Sequence, residues 1–314
     1  MRMKRRLLYG LIVLFGIHAL SCLDAKEHAG TVAEIVAARM EQEREGGADS
    51  DIGVLADKPR QALAALKRYR SDPSPRVQVG MMRDIMRIKV GAKDAPELHR
   101  DMVDTILAAF LASHGKPQGR LVRDQAVGFL KRFRADDFGD DAKATIRTAF
   151  KKQGMSRSTV ELYALAGMKT DLTELRKAFN AHRWPPYDET WYQSLQWTYR
   201  RVLAELGDSE SSAHCIKKVE EEADLRVKAR GLVDIARIRN DDIIALLKKH
   251  LDGDEMIKGL HGSYPLSGCA VQALAEILEG FPVEEKNHIW YSESDIARCR
   301  EWTARQTKWK FKEF

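Results

Sequence analysis

Apolar residues recur along this chain in a helical rhythm that the chain repeats. In residues 76–88, RVQVGMMRDIMRI, the side chains Val77, Met81, Ile85 and Ile88 fall at i, i+4, i+8 and i+11. At 3.6 residues per turn they share one stripe of a helix, and such a stripe has to be buried. Residues 226–238, RVKARGLVDIARI, rewrite the stretch with Arg, Val, Asp, Ile, Arg and Ile in matching places, giving Val227, Gly231, Ile235 and Ile238. The stripe returns as Val122, Ala126, Leu130, Phe133 and as Leu195, Tyr199, Leu203, Leu206. Shorter copies are Val160, Ala164, Met168 and Cys269, Ala273, Ile277. The starts at 77, 122, 160, 195, 227 and 269 lie on average about 38 residues apart, a helical-hairpin period. The second stripe position is often small (Ala126, Ala164, Gly231, Ala273), which lets a neighbouring helix come close. One such helix cannot bury its face alone, so stacking of successive units is expected to make the core.

Between the stripes the pattern predicts second helices near 95–113, 141–152, 171–182, 211–222, 242–251 and 295–307. Asp94, Asp140, Asp171, Asp241 and Ser294 stand at their N-cap positions. Acid and cation are six apart in Asp94/Arg100, Asp141/Arg147, Asp171/Lys177 and Asp242/Lys248, with Ser211/Lys217 and Ser294/Arg300 in the other two units. Over about 57–307 this pattern resembles the HEAT repeat, in which an acid in the intra-hairpin turn and a later Arg or Lys form a ladder between units. Most units depart from it in lacking the proline common in the first HEAT helix. The resemblance implies an all-α, right-handed α-α superhelix, an α-solenoid of about six stacked hairpins.

Before the repeats, residues 22–56 are a polar lead-in, with a short helix over 31–44 ended by Gly46-Gly47. Its AARMEQERE composition predicts a solvated helix or tether. A helix over 58–69 carries Pro59 in its first turn, where the missing N–H costs nothing. No sustained β-branched alternation or Asn-Gly turn predicts a strand. The tail 308–314, KWKFKEF, mixes cations with Trp309, Phe311 and Phe314 and suits a cap over the last unit or a surface-binding peptide.

The N-terminus changes the reading of charge. MRMKRR, a short apolar run over 7–20, and small Ala19 and Ser21 describe a secretory signal peptide over 1–21. Cys22 then resembles the lipid-bearing cysteine of a bacterial lipobox, although Ala19 and Leu20 stand in inverted order. The expected address is periplasmic, envelope or extracellular, with membrane attachment only through lipid on Cys22. Net charge is +6 at pH 7, and removing Arg2, Lys4, Arg5 and Arg6 leaves about +2, so no global charge favours a nucleic-acid partner. Cys215, Cys269 and Cys299 remain. A Cys269–Cys299 bridge and three small buried hydrophobes are both open readings.

Catalytic signatures are not found: no GxSxG, HExxH, phosphate-cradling glycine loop or dinucleotide fingerprint. No metal or cofactor is expected. Asp136, Asp137, Asp140 and Asp141 only faintly suggest calcium, without the alternating ligand spacing of an EF-hand. The most unusual chemistry is aromatic. Residues 184–199, WPPYDETWYQSLQWTY, hold three of the six Trp and three of the eight Tyr, enough for a cluster. They suit either packing over the next helix or a binding platform of Trp184, Tyr187 and Trp191. A second candidate is a basic ridge of Lys217, Lys218, Lys248 and Lys249, to which Lys151-Lys152 adds, although cations late in helices also complement the dipole. The leading expectation is an exported, non-enzymatic scaffold that binds a protein or peptide partner. Two alternatives are a structural envelope spacer and a repeat-fold enzyme. The enzyme is suggested by a superficial similarity of the Trp184–Trp191 loop and Asp188 to HEAT-like alkylpurine DNA glycosylases.

Overall fold

The computed structural model describes residues 31–47, 53–91, 95–187, 190–259, 262–284 and 290–312. Among them are fifteen α-helices and one two-stranded antiparallel sheet, so the described residues are all-helical apart from one short hairpin. The signal peptide, Cys22, Asp94 and Asp188 lie outside the described residues. Where the sequence suggests one repeat domain over 57–307, the chain divides into two compact units, 1–129 and 130–314.

The first unit contains α1 (Val32–Glu45), α2 (Val54–Asp57), α3 (Pro59–Leu66), α4 (Pro75–Ile85), α5 (Ala95–Ala112) and most of α6 (Gly119–Leu130). Thr31 opens α1 through a capping box with Glu34, and Gly46 ends it in the left-handed conformation at φ +81°. This helix is no solvated tether. Val36 and Met40 are fully buried, and α1 packs on α3 and α4. Its polar composition misleads because Arg39 and Glu43 are buried too, Arg39 pairing with Glu43 and, at 3.5 Å, with Asp84 of α4. The stripe Val77, Met81, Ile85, Ile88 is buried as the periodicity requires, as are Val122 and Ala126.

The second unit begins at the end of α6 and adds α7 (Asp140–Gln153), α8 (Arg157–Leu165), α9 (Leu172–Ala181), α10 (Leu195–Glu205), α11 (Ser209–Glu220), α12 (Leu225–Ile235) and α13 (Asp241–Asp252). The strands β1 (Met256–Gly259) and β2 (Gly262–Pro265) follow, then α14 (Leu266–Ile277) and α15 (Glu293–Arg305). Within the expected hairpins α10 packs on α11 and α14 on α15, and between them α7 packs on α8, α11 on α12 and α13 on α14. First helices also touch first helices (α8 with α10, α12 with α14), and second helices touch second (α11 with α13, α13 with α15). Tyr199, Leu203, Gly231, Ile235, Ile238, Cys269, Ala273 and Ile277 of the predicted stripes are buried, whereas Ala164, Leu195 and Val227 are half-buried.

Helix ends differ from the expected positions by one to three residues. Asp140 and Asp241 are the first helical residues of α7 and α13, behind Gly139 and Asn240, and Asn240 caps Ile243. Asp208 rather than Ser211 opens α11, and Ser292 rather than Ser294 opens α15 with a capping box to Asp295. Asn240, Asp208 and Ser292 are, like the expected residues, short and polar, so composition alone does not choose among them, whereas Gly139 precedes α7 without a side-chain bond. Asp171 does precede α9 but makes no cap hydrogen bond; its carboxylate is taken by Arg147.

The expectation of no strand is corrected at 256–265. Ile257 opposes Tyr264 in a hairpin whose strands are four residues long, too short for an alternating pattern to register. The tail closes on α14. Lys312 N and Glu279 N bond to Ile277 O and Lys310 O, each at 2.8 Å, and Lys312 Nζ reaches Ala275 O at 2.5 Å. The Ile277 and Ala275 carbonyls end α14 and lack partners within it. Trp309 packs beside Trp302 and receives Lys248 over its ring.

Candidate functional site

The aromatic segment before α10 is brought together, but mainly inward. Trp191 is 1% exposed, its ring 4.3 Å from that of Trp197 and its Nε1 donating to Glu222 at 2.6 Å. Its faces are covered, so it offers no platform to a partner. Trp184 is half-buried, stacked beside Phe179, His182 and Tyr199, and donates to Phe179 O at 2.9 Å. Tyr187 meets His214 at 3.4 Å and lies under Lys218, and burial pushes its hydroxyl up to about 12. Burial lowers the pKa of His214, helped by Arg200 and Lys218, and keeps its imidazole neutral.

The lysine ridge is largely engaged. Lys218 sits over the rings of both Tyr187 and Trp191, Lys217 pairs with Glu221 at 3.8 Å, and Lys249 pairs with Glu220 at 2.9 Å. Lys248 covers Trp309. These four cations therefore spend much of their field on neighbours on the same surface.

A different place stands out. A cavity of about 540 Å³ in the second unit is lined by Arg157 of α8, Tyr192 before α10, Arg226 and Arg230 of α12, Tyr264 of β2 and Gln272 of α14. That volume lies in the range of ligand pockets, roughly 300–1,000 Å³. Each arginine is oriented by a neutral oxygen. Arg226 donates through Nε and Nη2 to Lys258 O at 2.8 and 2.6 Å, Arg230 bonds Tyr192 Oη while stacking over its ring, and Arg157 bonds Gln193 O. None of the three makes an ion pair among the described residues. Elsewhere in the unit Arg147, Arg176, Arg201, Arg237 and Arg300 all face carboxylates. Three unneutralised guanidiniums around one cavity make a site that favours an anion.

The rest of the wall is quiet or satisfied. Asp234 also lines the cavity, but its Oδ2 accepts Trp197 Nε1 at 2.5 Å and lies 3.3 Å from Arg201 Nε. Arg201 is buried and faces the half-buried Glu161, Glu205 and Asp234; those carboxylates outweigh burial and hold its pKa above the ordinary value. Cys269, in the same wall, is buried, and burial pushes its thiol up to about 12, so it carries no thiolate at neutral pH. Cys215, Cys269 and Cys299 are all free and buried. Gln272 Oε1 is buried without a hydrogen-bond partner. Trp290 is half exposed and packs on the cavity residue Tyr264, ring centroids 5.3 Å apart. Among the described residues no group of three or more His, Cys, Asp or Glu is placed to hold a metal ion.

Sequence reasoning passed over these arginines although a signal was present. Arg76, Arg120, Arg157 and Arg226 each stand at the first or second position of α4, α6, α8 and α12. A cation in the first helical turn opposes the helix dipole, so its recurrence there is not explained by helix stability. Comparison with family models, curated proteins and solved structures finds no match.

Proposed function

We propose that this chain is an exported, non-enzymatic HEAT-like repeat scaffold that binds a protein or peptide partner. On this reading the hairpins continue into a right-handed α-solenoid, with pairs such as Arg147–Asp171 and Arg176–Asp208 as rungs between units. The observation that carries the reading is the construction of the cavity. Arg157, Tyr192, Arg226 and Gln272 come from four successive hairpins or their connections, so the recess belongs to the stacking and to no single element. Repeat stacks present extended binding surfaces for this reason. Export rests on the leader pattern of residues 1–21, either as a secreted chain or as a lipoprotein with its lipid on Cys22.

The test is photo-crosslinking in the native cell. A photoreactive amino acid placed at Tyr192 or Tyr264 should yield one discrete protein adduct, and the same group at exposed Leu121 of the first unit should not. Equal adducts from all three positions, or none from the cavity positions, contradict the reading.

A further inference from the structure

We propose that the arginine cavity receives a carboxylate carried by an extended peptide, a C-terminus or an acidic side chain, with the adjoining amide N–H donated to Gln272 Oε1. This deepens the scaffold reading and rests on it. Arg157, Arg226 and Arg230 supply the charge, and none is neutralised by a described carboxylate. A guanidinium has five N–H donors in a planar fork that matches a carboxylate edge, and each of these three spends only part of its set on Gln193 O, Lys258 O or Tyr192 Oη. The contacts that hold the arginines are neutral, so they fix orientation without discharging the site. Asp234, the one acid among the described residues of the wall, is already engaged by Trp197 and Arg201 and does not answer them.

Two further observations select a peptide over a free anion. Gln272 Oε1 is a buried acceptor with no donor, a costly state that a peptide N–H relieves and inorganic phosphate at neutral pH relieves poorly. Tyr192 and Tyr264 bring rings to the wall, with Trp290 beside Tyr264, so the group bearing the carboxylate meets apolar surface. An acidic or C-terminal residue joins oxyanion, adjacent N–H and apolar stem within one unit.

The probes are three pools of short peptides: one randomised over uncharged residues at its last three positions with a free C-terminus, the same pool amidated, and that amidated pool with one fixed internal Glu. Each is captured on the immobilised protein and read by mass spectrometry, and enriched members are titrated by fluorescence anisotropy. At least one acidic pool should be enriched, and the amidated neutral pool at least tenfold less. Which acidic pool wins assigns the carboxylate to a C-terminus or a side chain. Arg157→Gln with Arg230→Gln should weaken binding tenfold or more with the circular dichroism spectrum and melting point kept, whereas Arg305→Gln, at an exposed position of α15, should not. Gln272→Met should weaken free-acid peptides while leaving their salt dependence unchanged. Enrichment of neither acidic pool, equal capture of the neutral pool, or full affinity in the double variant overturns the proposal. Binding of inorganic phosphate with no peptide captured also overturns it and reassigns the cavity to small anions. The scaffold reading then stands or falls separately on the cross-linking at Tyr192 and Tyr264.

Discussion

Arg147 and Asp171 meet edge to edge, with Nε to Oδ1 at 2.8 Å and Nη2 to Oδ2 at 2.9 Å. Arg147 belongs to α7, and Asp171 stands at the start of α9, so the pair ties one second helix to the next. The hydrogen bonds from Arg147 outweigh burial and hold the Asp171 carboxyl below its ordinary pKa. Asp171→Asn should therefore destabilise the second unit by about 1 kcal/mol, at the upper end for a partly exposed pair. For a depressed carboxyl the stabilisation is present above the unfolded value, about 4, and disappears as pH falls through the folded value. Urea unfolding at pH 7 and pH 3 checks this: the gap between wild type and Asp171→Asn should shrink at the lower pH.

Two glycines should respond to the same substitution with opposite signs. A Cβ on Gly231 would sit 2.9 Å from Val219 Cγ2 and 3.1 Å from the Trp191 ring, both in the core. Gly231→Ala should destabilise, and Gly231→Leu by about 1–3 kcal/mol. Gly128 inside α6 has open space around its missing Cβ, so Gly128→Ala should stabilise by about 0.5–1 kcal/mol through helix propensity. Chemical denaturation of the three variants reads both signs at once.

Trp191 should behave as a core residue. It is closed in by Trp197 and Val219 and bonded to Glu222. Trp191→Ala should cost about 3–5 kcal/mol in unfolding free energy. The less buried Trp184→Ala should cost less, which thermal melts of the two variants will show.

The core stripes, the helical class and the position of most helices were legible in the sequence, because a 3.6-residue period in Val, Met, Ile and Leu has few other solutions. Three features were not. The burial of α1 was hidden by Arg39 and Glu43, charged residues that enter a core only as partners and look solvated in a composition count. Trp191 looked like a loop anchor because nothing local reveals that Glu222, 31 residues later, receives its indole N–H. The cavity was invisible because Arg157, Arg226, Tyr264 and Gln272 come together only through stacking, although the recurring first-turn arginines were a trace of it.

His250 supplies a second pH dependence. It is buried, with Nδ1 at 3.2 Å from Glu255 Oε2 and Nε2 without a partner, and burial lowers its pKa despite Glu255. A histidine depressed in the folded state takes up its proton more readily when unfolded, so stability is full above about 6.5 and declines as pH falls through that value. Unfolding curves between pH 7.5 and pH 5.5 should show this decline, reduced in His250→Gln.

The central claim is that this chain binds a partner at the arginine cavity of its second unit. Amide hydrogen exchange, measured on the chain alone and saturated with the partner captured at Tyr192 or Tyr264, tests it most directly. Protection is predicted in the turn around Tyr192 and Gln193, in the first turn of α12 at Arg226, and in the β1–β2 hairpin that Arg226 holds at Lys258. Protection confined to α11 and α13 around Lys217, Lys218, Lys248 and Lys249, with the cavity segments exchanging as before, would contradict it and move the site to the lysine ridge.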